Sequence, residues 1–166
     1  SMARQLIIRG FKNLTILEKD DSIALHQSSR NSGVMHSGLY YEPNSLKANL
    51  SRKGILLLKE YCNKNYIKWE ECGKIVVASD HSEIDRLEKL FIRGQANGLK
   101  GIKKLSSKEV NFIEPYVNAK AGIIVPEESI VNYLDVANKF KEEIISLGGS
   151  IKYFSKVVDV NLFINY

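Results

Sequence analysis

The densest run of chemically useful side chains is Gln27-Ser28-Ser29-Arg30-Asn31-Ser32-Gly33-Val34-Met35-His36-Ser37-Gly38. Ser28, Ser29, Asn31 and Ser32 offer short hydrogen-bonding groups. Gly33 and Gly38 permit close backbone approach to a flat or phosphorylated ligand. His36 lies among them, and an imidazole titrates near neutral pH, so it reads either as a general base or as a satisfied structural histidine. Tyr40 and Tyr41 follow directly and either wall a small-molecule pocket or pack on the next helix. His26 and His81 have no comparable neighbourhood. The spacing of Cys62 and Cys72 fits no metal motif, which leaves structural thiols. No nucleophile elbow, P-loop or metal-ligand pair is visible.

The elements that must position these groups follow from periodicity. Ala3, Leu6 and Ile7 lie at helical spacing, and Arg9-Gly10 supplies a basic last turn and a glycine stop. Leu14 to Leu17 reads as a short buried strand ending at Glu18-Lys19. A helix, a glycine and a buried strand ending in an acid form the second half of a βαβ unit. The first half, a strand and a glycine-rich turn, would lie upstream of Ser1. Glu18 then either accepts hydrogen bonds from the ribose hydroxyls of an adenosine or is an exposed acid at a strand end.

Further along, a helix is expected over 45–64 with Leu46, Leu50, Ile55, Leu58 and Tyr61 as its apolar side. Strand character runs from Trp69 to Ala78, and a helix from Ser82 to Asn97 stops at Gly98. A short helix capped by Ser106 or Ser107 ends near Glu114-Pro115, and 121–125 reads as a strand. An amphipathic helix over 132–147 carries Val136, Phe140 and Ile144 on one side, and the last strand is expected over 150–160. This order predicts an α/β fold: a partial Rossmann-like domain, lacking its first strand and glycine-rich turn, with an inserted α+β portion. The chain thus reads as a piece of a larger unit.

Composition narrows the classes. Of 166 residues, 24 are Lys or Arg and 19 are Asp or Glu, a formal net charge of +5. The cations are interleaved with acids, and Asn49-Leu50-Ser51-Arg52-Lys53 reads as a helix face, so a solvated surface is favoured over a nucleic-acid partner. Two cysteines are too few for a disulfide scaffold. No apolar run approaches the roughly 20 residues that span a bilayer, and no signal-peptide pattern opens the chain. The expected location is cytoplasmic, with a peripheral seat at the inner face of a membrane as the variant.

The segment Arg30-Asn31-Ser32-Gly33-Val34-Met35-His36-Ser37-Gly38-Leu39-Tyr40-Tyr41, followed by Pro43 and Ser45-Leu46-Lys47-Ala48, resembles the L-2-hydroxyglutarate dehydrogenase/oxidase group. That group belongs to the FAD-dependent, D-amino-acid oxidase-like oxidoreductases. The likeness continues through Glu71-Cys72-Gly73-Lys74, Glu114-Pro115, Gly122-Ile123, Ile130-Val131 with Tyr133, and Gly148-Gly149-Ser150, and so covers nearly the whole chain.

The resemblance implies an FAD cofactor and oxidation of L-2-hydroxyglutarate or a similar 2-hydroxy acid, with an amine or glycerol-3-phosphate as alternative substrates. It implies that Glu18, with Lys19 beside it, meets the adenosine ribose. Ser29, Arg30, Asn31, Ser32, Gly33 and Val34 match the loop along the pyrophosphate and ribityl chain, and Val157 the residue whose backbone pairs with adenine. His36 matches a histidine near the flavin ring and is the candidate catalytic base. Tyr40 and Lys47 are candidate substrate contacts, although Lys47 also reads as a solvated helix residue. Residues 1–65 and 133–166 would form the cofactor part and 66–132 the substrate part. The remainder of the polypeptide is an implied partner, and the electron acceptor is not specified. An inactive fragment that binds no FAD is the alternative outside catalysis. Asn132 stands where relatives commonly carry an acid.

Overall fold

A computed structural model describes residues 2–161. In chain order its elements are α1 (Met2–Ile8), β1 (Thr15–Leu17), β2 (Val34–Met35), α2 (Leu46–Lys64), β3 (Trp69–Glu70) and β4 (Lys74–Ala78). After a 3₁₀ turn at His81–Glu83 come α3 (Ile84–Ala96), β5 (Lys103–Ser106), α4 (Ser107–Ile113), β6 (Ala121–Val125), β7 (Ser129–Val131), α5 (Tyr133–Ser146) and β8 (Ser150–Lys152). The chain divides into two compact units, one spanning Ser32–Val131 and the other made of the residues before and after it.

In the discontinuous unit, β1 pairs in parallel with β8, Thr15 opposite Ser150 and Leu17 opposite Lys152. A parallel pair needs a crossover, and here it closes across 135 positions of sequence. α1 stops at Gly10, whose φ of +91° is a left-handed value that suits glycine. It packs on α5, with Arg4 paired to Glu143. α5 buries Val136 and Ile144, and its first turn is capped by Asn132, whose side chain accepts from the Leu134 N–H at 3.0 Å.

One expectation fails in this unit. The last strand ends at Lys152 rather than near residue 160. Phe154 takes a φ of +52°, and Phe154 and Ser155 donate their N–H groups to Asp20 and Glu18, so the chain bends away from a straight ladder. Val157 therefore lies beyond the strand, in an exposed irregular stretch.

The unit 32–131 is built on an antiparallel sheet ordered β4-β6-β5, with α3 and α4 packed on it. Leu39, Ala78, Leu87, Leu99, Ile123 and Val125 form its core. Fully buried side chains of the size of Ile123 and Val125 contribute about 1.5–3 kcal/mol each by burial. A second antiparallel sheet is ordered β2-β7-β3. The strand expected over 69–78 is thus two strands in two sheets, broken at Glu71–Gly73, where Gly73 has φ +70°.

Two helices depart from expectation in this unit. α2 buries Ala48, Ile55 and Cys62, whereas Leu46 and Leu50 are 73% and 57% exposed. Positions 48, 55 and 62 repeat every seven residues, and that stripe, not the leucines at its N-terminal end, faces the unit. α3 begins at Ile84, after the 3₁₀ turn, rather than at Ser82, and the side chain of Asp80 caps that turn by accepting from the Ser82 N–H. α4 starts at a capping box in which Ser106 and Glu109 satisfy each other's backbone N–H groups.

Candidate active site around His36 and Glu128

β6 and β7 are joined by the short turn Pro126-Glu127-Glu128. Its two acids go opposite ways. Glu127 is partly buried against Arg52 of α2, while Glu128 is 2% exposed. A buried carboxylate is unfavourable unless paired and hydrogen-bonded. Oε1 of Glu128 meets both needs: it accepts from the Ser37 hydroxyl at 2.8 Å and from Lys74 Nζ at 2.8 Å. Oε2 is also buried and accepts no hydrogen bond among the described residues. His36 Nδ1 lies 3.9 Å from it.

His36 follows β2, and its ring is 56% exposed. The Ser51 hydroxyl donates to its carbonyl at 2.9 Å and so holds the backbone against α2. Lys74, the first residue of β4, stands over the Tyr40 ring at 4.7 Å from its centroid. The cluster therefore holds one solvent-reachable imidazole beside one buried carboxylate, with a lysine and a tyrosine adjoining. It has the parts of an acid–base site.

Of the residues singled out by sequence, His36 and Tyr40 belong to this cluster. Lys47 is exposed on the first turn of α2, outside it. Gly33 and Val34 lead into it: Gly33 has φ +73°, and a Cβ built there would stand 2.7 Å from the Val131 carbonyl oxygen. Val34 pairs with Ile130, and Ser32 is exposed just before them. Glu128 and Lys74 were not picked out as site residues. Two consecutive acids in a turn look solvated, and only the buried placement of Glu128 makes it a candidate.

The remaining candidates lie in the other unit. Glu18 follows β1, and with Gln27, Ser28 and Asn31 it lines an open cleft of about 530 Å³. The other walls are largely apolar, from Ile16, Ile23, Val136, Phe140 and Ile144. The apolar side expected for the last helix is thus a cleft wall. Glu18 Oε1 accepts from the Asp20 N–H at 3.1 Å, and Asn31 donates to the carbonyls of Gln27 and Ser28 at 2.7 and 3.0 Å. Ser29 and Arg30 sit in the same turn, their N–H groups donating to His26 O. Lys19 lies 3.2 Å from Asp20, whose other contact is His26 Nε2 at 2.7 Å. The His26 hydrogen bond comes first among the interactions that hold the Asp20 carboxyl below the usual range. Val157 is not among the residues lining the cleft.

An open cleft beside a parallel strand pair is the setting in which α/β folds hold nucleotides. The family model described as "FAD dependent oxidoreductase" matches residues 1–162, and the chain belongs to that family. Sequence relatives include L-2-hydroxyglutarate dehydrogenases. The mitochondrial protein of Bos taurus is 40% identical over 96% of this chain and 35% of its own length. That of Dictyostelium discoideum is 46% identical over 85% and 32%, and that of Indibacter alkaliphilus 42% over 89% and 37%. The chain thus spans about a third of the length of the curated relatives it matches.

Among solved structures, the dithionite-reduced L-alpha-glycerophosphate oxidase of Mycoplasma pneumoniae with FAD bound matches with a TM-score of 0.81 and 27% identity, over 95% of this chain and 42% of that one. Glycine oxidase from Geobacillus kaustophilus matches with a TM-score of 0.85 at 19% identity, over 96% and 44%, which shows the fold alone.

The residues present fit the adenosine portion of FAD. A carboxylate and a hydroxyl from Glu18 and Ser28 line one cleft with apolar walls, the mixture that a ribose and a flat base require.

Proposed function

We propose that the polypeptide containing this chain is an FAD-dependent enzyme that oxidises L-2-hydroxyglutarate, or a similar 2-hydroxy acid, to the 2-oxo acid. Bound FAD supplies a two-electron acceptor for the hydride leaving C2. His36 takes the hydroxyl proton, which lets the carbonyl form. The observation that carries the reading is the exposed imidazole of His36, 3.9 Å from a buried carboxylate oxygen, in a stretch that also holds Tyr40. The 2-hydroxy acid rests on the names of the relatives at 40–46% identity.

In this reading Glu18 and Lys19 hold the adenosine ribose, and Ser29 to Val34 follow the pyrophosphate and ribityl chain. Tyr40 and Lys47 contact substrate, and Val157 offers its backbone to adenine. Residues 1–65 and 133–166 serve the cofactor and 66–132 the substrate. The rest of the polypeptide completes both parts. No helix among the described residues is long and apolar enough to cross a membrane. A cytoplasmic protein, or one seated peripherally on an inner membrane face, is the location proposed.

The test is anaerobic mixing of the purified full polypeptide with L-2-hydroxyglutarate, glycine or glycerol-3-phosphate. Bleaching of the visible flavin band by the first alone is the expected result. Bleaching only by glycine or glycerol-3-phosphate moves the substrate elsewhere in the family, and a colourless protein that binds no added FAD overturns the reading.

A further inference from the structure

We infer that Glu128 is the positioning residue for His36: its free carboxylate oxygen takes the Nδ1 proton and leaves Nε2 bare as the base. This rests on the reading of His36 as the base and adds the group that fixes its tautomer. The carboxylate cannot turn freely, because Ser37 and Lys74 both hold Oε1 at 2.8 Å. That leaves Oε2 buried, without a hydrogen bond, on the side where His36 Nδ1 stands at 3.9 Å. An acceptor buried without a donor is unfavourable, and the imidazole N–H is the donor that stands nearby.

The backbone of the loop is already fixed. Ser51 donates to the His36 carbonyl at 2.9 Å, and Arg52 to the Ser37 carbonyl at 3.4 Å. Closing the gap therefore needs rotation of the ring and not movement of the loop. Catalytic hydrogen bonds are often long before ligands bind and shorten afterwards. A neutral imidazole carries one ring proton, so holding it at Nδ1 places the lone pair at Nε2.

The surrounding charges suit this role. Lys74 balances the carboxylate from its other oxygen and lies over the Tyr40 ring, and Glu127 is turned to Arg52. Glu128 is thus the acid that the structure places against the imidazole.

The experiment uses the full polypeptide loaded with FAD and labelled with ¹⁵N-histidine, His36 being assigned by loss of its signals in His36→Asn. The ring-nitrogen shifts of the wild type are expected to show the proton on Nδ1. Glu128→Gln keeps an oxygen for Ser37 and Lys74 but presents an N–H to the ring, so it is expected to move the proton to Nε2. The same variant is expected to slow flavin reduction by L-2-hydroxyglutarate about 10- to 100-fold, with KM within about twofold and an altered pH profile.

A wild type protonated at Nε2 overturns the inference without any variant. So does a Glu128→Gln protein whose tautomer and pH profile match the wild type. Undiminished flavin reduction in His36→Asn removes the base instead, and the tautomer measurement separates that outcome from a failure of Glu128.

Discussion

Arg52 grips both carboxylate oxygens of Glu127, Nη1 to Oε2 at 2.8 Å and Nη2 to Oε1 at 3.2 Å. The same guanidinium donates to the carbonyls of Ser37 and Gly98 at 3.4 and 3.1 Å. One side chain of α2 thereby ties together the turn that carries Glu128, the residue after His36 and the end of α3. A bidentate, charge-assisted pair of this kind is stronger than a neutral hydrogen bond and fixes geometry. Arg52→Ala is expected to lower stability by about 2 kcal/mol, with Glu127 left partly buried and unpaired. A fall in the urea midpoint at unchanged slope is the measurement that checks it.

The same pair sets an acid limb. Burial pushes the Glu127 carboxyl up, but hydrogen bonds from Arg52 and the Lys100 N–H, with the charges of Arg52 and Lys59, hold it below the ordinary range. A carboxyl depressed in the folded state contributes stability above its unfolded value, about 4.3. That contribution drains as pH falls from there through the folded value. Urea midpoints measured downward from about pH 6 should fall across this window in the wild type. In Arg52→Ala the fall should be shallower. An equally steep limb in both would assign it to other carboxylates.

Gly33 and Gly54 should respond to alanine with opposite signs. At Gly33 the φ of +73° disfavours any side chain, and the new Cβ would meet the Val131 carbonyl at 2.7 Å. Since that oxygen is backbone, relief requires separating β2 from β7, and a loss of about 2 kcal/mol or more is expected. Gly54 lies inside α2 with nothing within 4 Å of its Cβ position, so alanine there should stabilise by about 0.5–1 kcal/mol. Melting midpoints of the two variants moving the same way would contradict this.

These positions mark where the sequence was legible. The α1-glycine-β1-acid order was readable because helix period, glycine stop and strand run agree locally, whereas the pairing with β8 joins residues 135 positions apart, and the strand expected to be buried is exposed at Thr15 and Leu17. The core of α2 was misread at Leu46 and Leu50, since a helix surrounded by leucines has more than one apolar stripe and tertiary contact selects among them. β2 and β7 are only two and three residues long, too short to leave a period, and exist through their pairing. His36 stood out as a candidate through its small polar neighbours. Glu128 was not, because its burial depends on Ser37 and Lys74, which lie 91 and 54 positions away.

Asn132 caps α5 through its side chain, and an aspartate there would do the same. Asn132→Asp should leave stability within about 0.5 kcal/mol, while Asn132→Ala should lose about 1 kcal/mol. Thermal midpoints distinguish the two. Because the aspartate keeps the cap, any change it makes in turnover of the full polypeptide reads the added charge and not a frayed helix.

Glu18 offers the sharpest check on the cofactor reading. Its Oε1 is engaged by the Asp20 N–H at 3.1 Å, a bond local to the turn after β1, and the residue lines the apolar cleft. If its carboxylate meets ribose hydroxyls, the contacts are charge-assisted hydrogen bonds of about 1.5–3 kcal/mol. Glu18→Gln should then weaken FAD binding by the full polypeptide about tenfold or more. Riboflavin-length analogues without the adenosine should bind wild type and variant alike. The comparison is made by titrating the apoprotein and following flavin fluorescence. Equal weakening for FAD and the truncated flavin would mean that the substitution disturbs the turn around Asp20, and the carboxylate would lose its assigned place on the ribose.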